Sequence, residues 1–541
     1  MAKWIWGRCP STASNYNRMW TKRLKALRIG ISFAFFVLTA ILFLDFRNGV
    51  APSITREILF LQFVPSLLKF LATAAVGATG FIAVAILTIL FGRVYCSTIC
   101  PLGTLQDGIG RLSKKKRKRP RYKWATPHPV LRYSIFALTV LLLLASSGLA
   151  LNLLDPFSIF GRILTNLVRP FVLVFNNVAA AGLEQFNIHT LYRVPWAVIA
   201  PLSAGVALLT LFLVAWLSAK HGRLYCDTVC PVGALLGLVS KFSLFRIGVD
   251  PDRCTGCNLC VSVCKAGCID INKKAIDFSR CVGCYNCFSA CNHQALQFER
   301  RWRKSLPETE QDPERRGFML NSAIWFLGVA DLGEQTKQII QSRPTTVPFR
   351  LTSPVSPPGS RSIDHFTSTC TACHLCVSAC PSRVIVPSFL EFGFLGMMQP
   401  RMDYSAGYCN YDCTHCLEIC PSGALLPLTA EKKKLTQLGV ATFIKENCVV
   451  DTDRTNCGAC SEHCPTKAVN MVPYPNPTNK PLVIPQVNPD ICVGCGACEH
   501  ACPTKPFKAI YVDGNPVHKI AKKPSEKRID EKVDDNADFP F

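Results

Sequence analysis

Cysteine is the residue type whose number and spacing carry chemistry in this chain. Cys254, Cys257, Cys260 and Cys264 form a C-x2-C-x2-C-x3-C run, and after sixteen residues Cys281, Cys284, Cys287 and Cys291 repeat it. Three thiolates this close can bind three irons of one cube, but the fourth is too near to reach the last iron and serves a neighbouring cube. The spacing therefore predicts two [4Fe-4S] clusters with crossed ligands: Cys254, Cys257 and Cys260 with Cys291, and Cys281, Cys284 and Cys287 with Cys264. Structural zinc, the rival reading, takes two CxxC pairs and has no need of triplets. Lys265 and Asn292 stand where proline commonly follows the fourth cysteine, which weakens the turn signal but leaves the ligands intact.

Four more groups follow: Cys370, Cys373, Cys376 and Cys380; Cys409, Cys413, Cys416 and Cys420; Cys448, Cys457, Cys460 and Cys464; Cys492, Cys495, Cys498 and Cys502. Each ends on a cysteine that precedes proline (Pro381, Pro421, Pro465, Pro503), and the two inner groups have a lengthened first gap. The shared irregular gap favours pairing inner group with inner and outer with outer; adjacent pairing stays open. Six [4Fe-4S] clusters then use 24 of the 30 cysteines.

Four other cysteines belong to an internal repeat. Residues 92–105 (GRVYCSTICPLGTL) and 222–235 (GRLYCDTVCPVGAL) agree at nine of fourteen positions, which sets Cys96, Cys100, Cys226 and Cys230 in paired CxxxCP motifs. Two readings stand. They are buried small side chains at helix ends, or each half contributes two thiols to a shared redox or metal site, a further thiolate-bound cluster. Cys9 and Cys268 fit no pattern and read as spare. Asp155 and Arg162, in LDPFSIFGR, could hold a quinol headgroup, although Asp before Pro is an ordinary helix start and is the favoured reading. The ten histidines form no pair suited to haem ligation, and no nucleotide or flavin fingerprint occurs, so no haem, flavin or nucleotide is expected.

The elements that must position these thiols fall into several modules, as 541 residues require. Apolar runs at about 28–46, 67–91, 131–154 and 194–218 are each long enough to cross a bilayer as a helix. The segment 155–193 carries Arg162, Arg169, Glu184 and Arg193 and reads as an outer-face loop with interfacial helices, with a fifth span as the weaker alternative. Basic clusters before the first span and at Lys114–Lys123, after the second, place both flanks in the cytoplasm. The same flank assignment explains the densest basic run without nucleic acid, and the thiolate clusters offset about half of the formal charge of +24. Regular cysteine fours argue against a secreted disulfide scaffold. The expected fold is a membrane α-helical bundle of about four spans joined to α+β, bacterial-ferredoxin-like 4Fe-4S domains. The expected organisation is a transmembrane domain with the duplicated motif (1–248), a two-cluster domain (249–300), a linker (301–362), a four-cluster domain (363–519) and a disordered tail (520–541).

Residues 1 to about 300, with the two CxxxCP motifs and the eight-cysteine unit, resemble NapH-type membrane ferredoxins. Residues from about 315 on resemble MauM/NapG-type polyferredoxins, on the twin arginine, the four cysteine groups and SPPGSRSIDHF, so the chain looks like a fusion of the two. The resemblance implies an electron carrier of a respiratory system, or a quinol dehydrogenase component without a catalytic site of its own. It would work in the cytoplasmic membrane, between the quinone pool or a cytoplasmic donor and a periplasmic redox partner protein. Arg315 and Arg316 match the core of a twin-arginine export signal in part, and the short apolar run at 317–330 suits one, which puts the second ferredoxin unit in the periplasm. Copper handling in the assembly of a respiratory oxidase is the rival from another class, since a similar membrane ferredoxin family serves there.

Overall fold

The computed structural model describes residues 12–47, 49–115, 122–194, 200–300, 353–475, 481–505 and 507–523. Cys9, Arg315, Arg316, the apolar run after them and most of the charged tail lie outside the described residues.

The N-terminal part is helical. Helix α1 (Thr12–Leu44) emerges from the first basic flank and runs without a charge from residue 29 to its end. Among the described residues, three helical stretches are long and apolar enough to cross a membrane: Arg23–Leu44 within α1, Pro156–Glu184, and α11 (Pro201–His221). Three expectations change here. The third apolar run, expected at 131–154, is not one helix, because the chain turns at Ser146 (φ 57°) between a helix over Pro129–Leu144 and a short one over Leu149–Leu154. The second apolar run is not one helix: after α2 (Pro52–Phe60), α3 (Phe63–Thr73) ends at Ala74 in the left-handed region (φ 49°), and α4 (Gly80–Phe91) starts afresh. Gly80 permits that restart because a Cβ there would lie 1.7 Å from the Phe60 carbonyl oxygen. The segment expected as an outer loop is instead one helical rod, α9 (Pro156–Ile163), a π turn over Leu164–Val168 and α10 (Arg169–Glu184). Its arginines do not break it, because Arg162 and Arg169 are buried and donate to protein carbonyls. Between these elements lie α5 (Tyr95–Thr98), α6 (Pro101–Lys115), α7 (Pro129–Leu144) and α8 (Leu149–Leu154). The second repeat supplies α12 (Leu224–Thr228) and α13 (Pro231–Ser240) after α11.

The first cysteine-rich unit is closed by an antiparallel pair, β1 (Phe245–Val249) with β4 (Leu296–Arg300), so it begins slightly earlier than 249. Between its two cysteine groups lies a hairpin, β2 (Ile269–Asp270) with β3 (Ala275–Ile276). The C-terminal unit repeats this plan. A hairpin of β5 (Ile385–Pro387) and β6 (Pro400–Met402) separates its first two groups. β8 (Val469–Tyr474) with β9 (Leu482–Val487) separates the last two, and β7 (Thr436–Phe443) pairs with β10 (Ile510–Ile520) to close that half. Residues 353–362, expected as linker, belong to this unit: Val355, Ser356 and Ser360 are buried in it, and the Val355 carbonyl accepts from the Met402 N–H. A hairpin between consecutive groups is the local device that folds each group back on its neighbour.

The two cysteine-rich units dock at opposite ends of the helical unit. At one end Lys25 in α1 donates to Ser289, Gly92 after α4 abuts Phe278, and Gly222 after α11 abuts Lys265. At the other end Phe43, near the close of α1, packs in one apolar cluster with Phe157, Phe160, Cys373 and Leu375, while Gly148 after α7 lies against the carbonyls of Thr367 and Cys370. Lys25 and Phe43 are eighteen residues apart on one helix, about 27 Å at 1.5 Å per residue, close to the thickness of a bilayer's hydrocarbon core.

Candidate iron–sulfur centres

The cysteine runs bend the same way wherever the first gap is short. In C-x-x-C-x-x-C the residue before the second cysteine and the residue after it both lie in the left-handed region: Gly256 and Asn258, Gly283 and Tyr285, Ala372 and His374, Gly494 and Gly496. A short helix then carries the third cysteine inward. Glycine is favoured there because positive φ costs it nothing. In the two groups with a longer first gap, the helices start from Thr414 and Gly458 with φ of −116° and −124°.

In the first unit Cys291 is electrostatically coupled to Cys260 alongside Cys254 and Cys257, and Cys264 to Cys281, Cys284 and Cys287. The second set, with Val282 and Tyr285, lines a cavity. Cys268, which reads as spare in the sequence, also lines it, with its sulfur 3.6 Å from that of Cys264. No spacing rule could have placed it there.

In the C-terminal unit the geometry corrects the preferred pairing. Cys420 is coupled to Cys370, Cys373 and Cys376, and Cys380 to Cys409 and Cys416, so the first group exchanges ligands with the second. Cys502 is coupled to Cys448 and Cys460, with Cys457 in the same cavity, and Cys464 to Cys492, Cys495 and Cys498. Adjacent groups pair because the β5–β6 and β8–β9 hairpins fold consecutive groups together, and gap length plays no part. Burial pushes the Cys460 and Cys495 thiols up to about 12, so four thiolates are tenable in such places only with a compensating cation core. The donor set, its crossing and its cavities fit [4Fe-4S] clusters.

Between the two units Cys96, Cys100, Cys226 and Cys230 converge in one buried core, each 4% exposed and mutually coupled. The local sequence explains the convergence. Gly92 and Gly222, at φ 79° and 73°, end α4 and α11, and the chain turns into the motif. Gly103 and Gly233 then let α6 and α13 lie on the carbonyl of the first cysteine, since a Cβ would stand 2.3 Å from the Cys96 oxygen and 2.0 Å from that of Cys226. Around the quartet are charged side chains that the sequence reading passed over. Arg93 donates to the carbonyls of Cys226 (3.5 Å) and Gly233 (3.2 Å) and pairs with Asp227 at 2.5 Å. Arg223 donates to the Cys96 carbonyl and pairs with Asp107 at 3.0 Å, where Lys265 (2.7 Å) and Arg28 (3.5 Å) also meet. Burial by itself would raise the Asp107 carboxyl, but Arg223, Lys265 and Arg28 outweigh it and hold it well below the usual carboxylate range. The available signal was the arginine shared by both repeats.

Asp155 and Arg162 lie between the quartet and the C-terminal unit. Asp155 caps α9, accepting from the Ser158 N–H at 2.8 Å, and Arg162 donates to the Asn152 carbonyl. Both are at most 1% exposed beneath the docked Cys370–Cys376 loop, which Asn166 (to His374, 3.2 Å) and Arg169 (to the Ser378 carbonyl, 2.7 Å) also hold. Tyr95 and Tyr225 complete the link. Tyr95 bonds Gln62 at the α2–α3 break, Tyr225 donates to the Leu154 carbonyl beside Asp155, and both are coupled to the quartet and to Asp155. Farther out, the Cys409 N–H donates to the Cys495 carbonyl at 2.9 Å and joins the two halves of the C-terminal unit.

Apolar helices able to span a membrane and repeated ferredoxin-type thiol sets define a membrane-associated iron–sulfur electron-transfer protein. Profiles described as 4Fe-4S binding domain match residues 73–120, 203–250, 247–270 and 278–294, and a 4Fe-4S dicluster domain matches 369–424 and 453–505. The chain is 30% identical over 197 residues to the methylamine utilization ferredoxin-type protein MauM of Methylobacillus flagellatus, covering 36% of this chain and 80% of that protein. It is 28% identical over 214 residues to the ferredoxin-type protein NapH of Haemophilus influenzae, covering 39% and 59%. Against the ferredoxin-type protein MauN of M. flagellatus the figures are 26% over 266 residues, covering 47% and 78%. No solved structure matches the chain. The chain belongs to the family of NapH/MauM-type polyferredoxins.

Proposed function

We propose that this chain conducts electrons through a membrane, from a cytoplasmic donor or the quinone pool at the 254–291 unit to a periplasmic redox partner at the 370–502 unit. The observation that carries this reading is the docking of the two units at opposite ends of the helical unit with a thiol quartet buried between them. Six [4Fe-4S] clusters, one for each crossed set, would supply the one-electron chemistry when bound, and Cys96, Cys100, Cys226 and Cys230 would hold a further thiolate-bound station. The protein's part is to fix order. The set with Cys257 reaches the surface, the Cys281 set abuts the quartet core, and the Cys370 set lies behind Asp155 and Arg162. Asp155 and Arg162 act in this scheme as buried structural groups of the crossing, because no lipid-facing quinol headgroup could reach them under the docked loop.

Export of the C-terminal unit with its clusters already inserted would use Arg315 and Arg316 as a twin-arginine signal. Two measurements test the proposal. Anaerobically purified protein should hold about 24 iron per chain, rising by two to four with an occupied quartet; stoichiometric zinc in place of iron would refute it. In spheroplasts external protease should cut the C-terminal unit and spare the 254–291 unit. Replacing Arg315 and Arg316 by lysine should protect both. Protection of both units in the unmodified protein would refute the sidedness.

A further inference from the structure

The two repeats hold each other's cysteines. Arg93 precedes the first motif but binds the second, at the Cys226 and Gly233 carbonyls and the Asp227 carboxylate, while Arg223 precedes the second motif and binds the Cys96 carbonyl of the first. Arg28 and Arg132, on α1 and α7, back the same motifs through the carbonyls of Ser97 (3.3 Å) and Gly233 (2.7 Å). All four arginines are at most 4% exposed. The buried carboxylates among them are Asp107 and Asp227, so four positive charges meet two negative ones and leave a formal excess of two. Lys265, buried and 2.7 Å from Asp107, raises that excess to three. Burying uncompensated cations is expensive in a low-dielectric core. A four-thiolate iron–sulfur centre carries a charge of roughly −2 in its oxidised form and would offset most of this excess. The Nε atoms of Arg28, Arg93 and Arg132 and the amide nitrogen of Gln106 are buried without a hydrogen-bond partner among the described residues, and Gln106 lies 3.4 Å from the Cys226 sulfur.

We propose that Arg93 and Arg223 are reciprocal positioning residues for a four-thiolate iron–sulfur centre at the quartet, and that the arginine cage sets its potential above that of an uncaged cluster. This rests on reading the quartet as a metal station. Each arginine fixes the backbone of the opposite motif, so neither repeat forms the site alone. The cage charge favours the more negative, reduced form of the centre by Coulomb attraction, which the low dielectric strengthens. Asp107 and Asp227 weaken that field and keep the arginines in place.

The test is redox potentiometry with EPR on the full chain in detergent, following the signal that disappears in a Cys226→Ser/Cys230→Ser variant. Arg223→Gln should move the midpoint of that signal to more negative potential, and Arg223→Lys should restore most of the shift. Asp227→Asn keeps an oxygen for Arg93 but removes a negative charge, so it should move the midpoint the opposite way. Signals of the other clusters should stay in place, which shows that the variants fold. A midpoint unmoved in both Arg223→Gln and Asp227→Asn, or moved in the same direction by both, overturns the proposal. Should Arg223→Gln fail to accumulate, the sign of the Asp227→Asn shift decides by itself. If the double cysteine variant loses neither iron nor signal, the metal-station reading fails, an outcome distinct from a potential that ignores the cage.

Discussion

Replacing Asp107 by asparagine should damage this protein far more than an ordinary surface charge change. The Asp107 carboxylate is 7% exposed and receives Arg223 at 3.0 Å, Lys265 at 2.7 Å and Arg28 at 3.5 Å, themselves 1%, 7% and 4% exposed. Asparagine keeps the shape and one acceptor oxygen but leaves three buried cations facing one another. Breaking one buried pair costs about 3–5 kcal/mol, and here one side chain closes three contacts that tie α1, α6, the second repeat and the first ferredoxin unit together. Taking the low end, about 3 kcal/mol, and roughly 2 °C per kcal/mol for a large domain, the thermal midpoint should fall by at least about 6 °C. Tryptophan fluorescence on heating, with iron retention as a second probe, is the assay, and Asp490→Asn is the control. Asp490 pairs with Lys522 in solvent at 2.6 Å with both side chains more than half exposed, and its loss should leave no measurable shift. The pH dependence follows from the direction of the Asp107 shift. A carboxyl held low contributes stability that is fully present above its unfolded value near 4 and is lost only as pH falls through its lower folded value. The deficit of the variant should therefore be constant between pH 5 and 8. A midpoint no lower than that of Asp490→Asn, or a deficit that vanishes by pH 5, would refute the reasoning.

The adjacent ligand exchange predicts that Cys420→Ser removes the same EPR signal as Cys370→Ser, and Cys380→Ser the same one as Cys409→Ser; matching Cys420→Ser to Cys413→Ser would contradict it. In the first unit Cys264→Ser should damage the signal lost in Cys281→Ser rather than that of Cys254→Ser, read by the same comparison. Gly233→Ala places a Cβ 2.0 Å from the Cys226 carbonyl oxygen, and the resulting overpacking should cost about 1–3 kcal/mol or more, measured as a lower thermal midpoint, whereas Gly182→Ala, with nothing within 4 Å, should not. His518 is half-buried against Ser356 and Ser360, and the loss of solvent lowers it to about 4. The unfolded chain takes up its proton near pH 6.5 and the folded one near 4, so stability should drop by about 2 kcal/mol between pH 7 and 5. Denaturant melts of the wild type and of His518→Gln would check this, the variant losing that part of the slope.

Cluster chemistry was legible in the chain because its ligands are local. A C-x2-C-x2-C-x3-C run needs only one turn and a short helix, so spacing alone marks where three thiolates can meet one cluster and where the fourth must reach elsewhere. The helical unit was legible in part. Apolar length marks bilayer-compatible segments, but α3 and α4 part at Ala74 and Gly80, and Pro156–Glu184 forms one rod despite Arg162 and Arg169. Hydropathy cannot see either feature, since a helix break is a backbone event and the buried arginines are satisfied by carbonyls, Arg162 by that of Asn152 and Arg169 by those of Val377 and Ser378 in the distant unit. Tertiary structure decided every long-range question. Hairpins, and not gap lengths, select which cysteine groups exchange ligands. Asp155, the helix start that Asp before Pro suggested, caps α9, and docking of the C-terminal unit buries it together with Arg162. The role of Arg93 and Arg223 depends on contacts 127 to 140 residues away in sequence, which no local pattern encodes beyond the bare fact that both repeats carry an arginine at the same place. The cysteine spacings by themselves determined what the chain can bind, because ligation is short-range; which centres face one another, and what charge surrounds them, was set by packing.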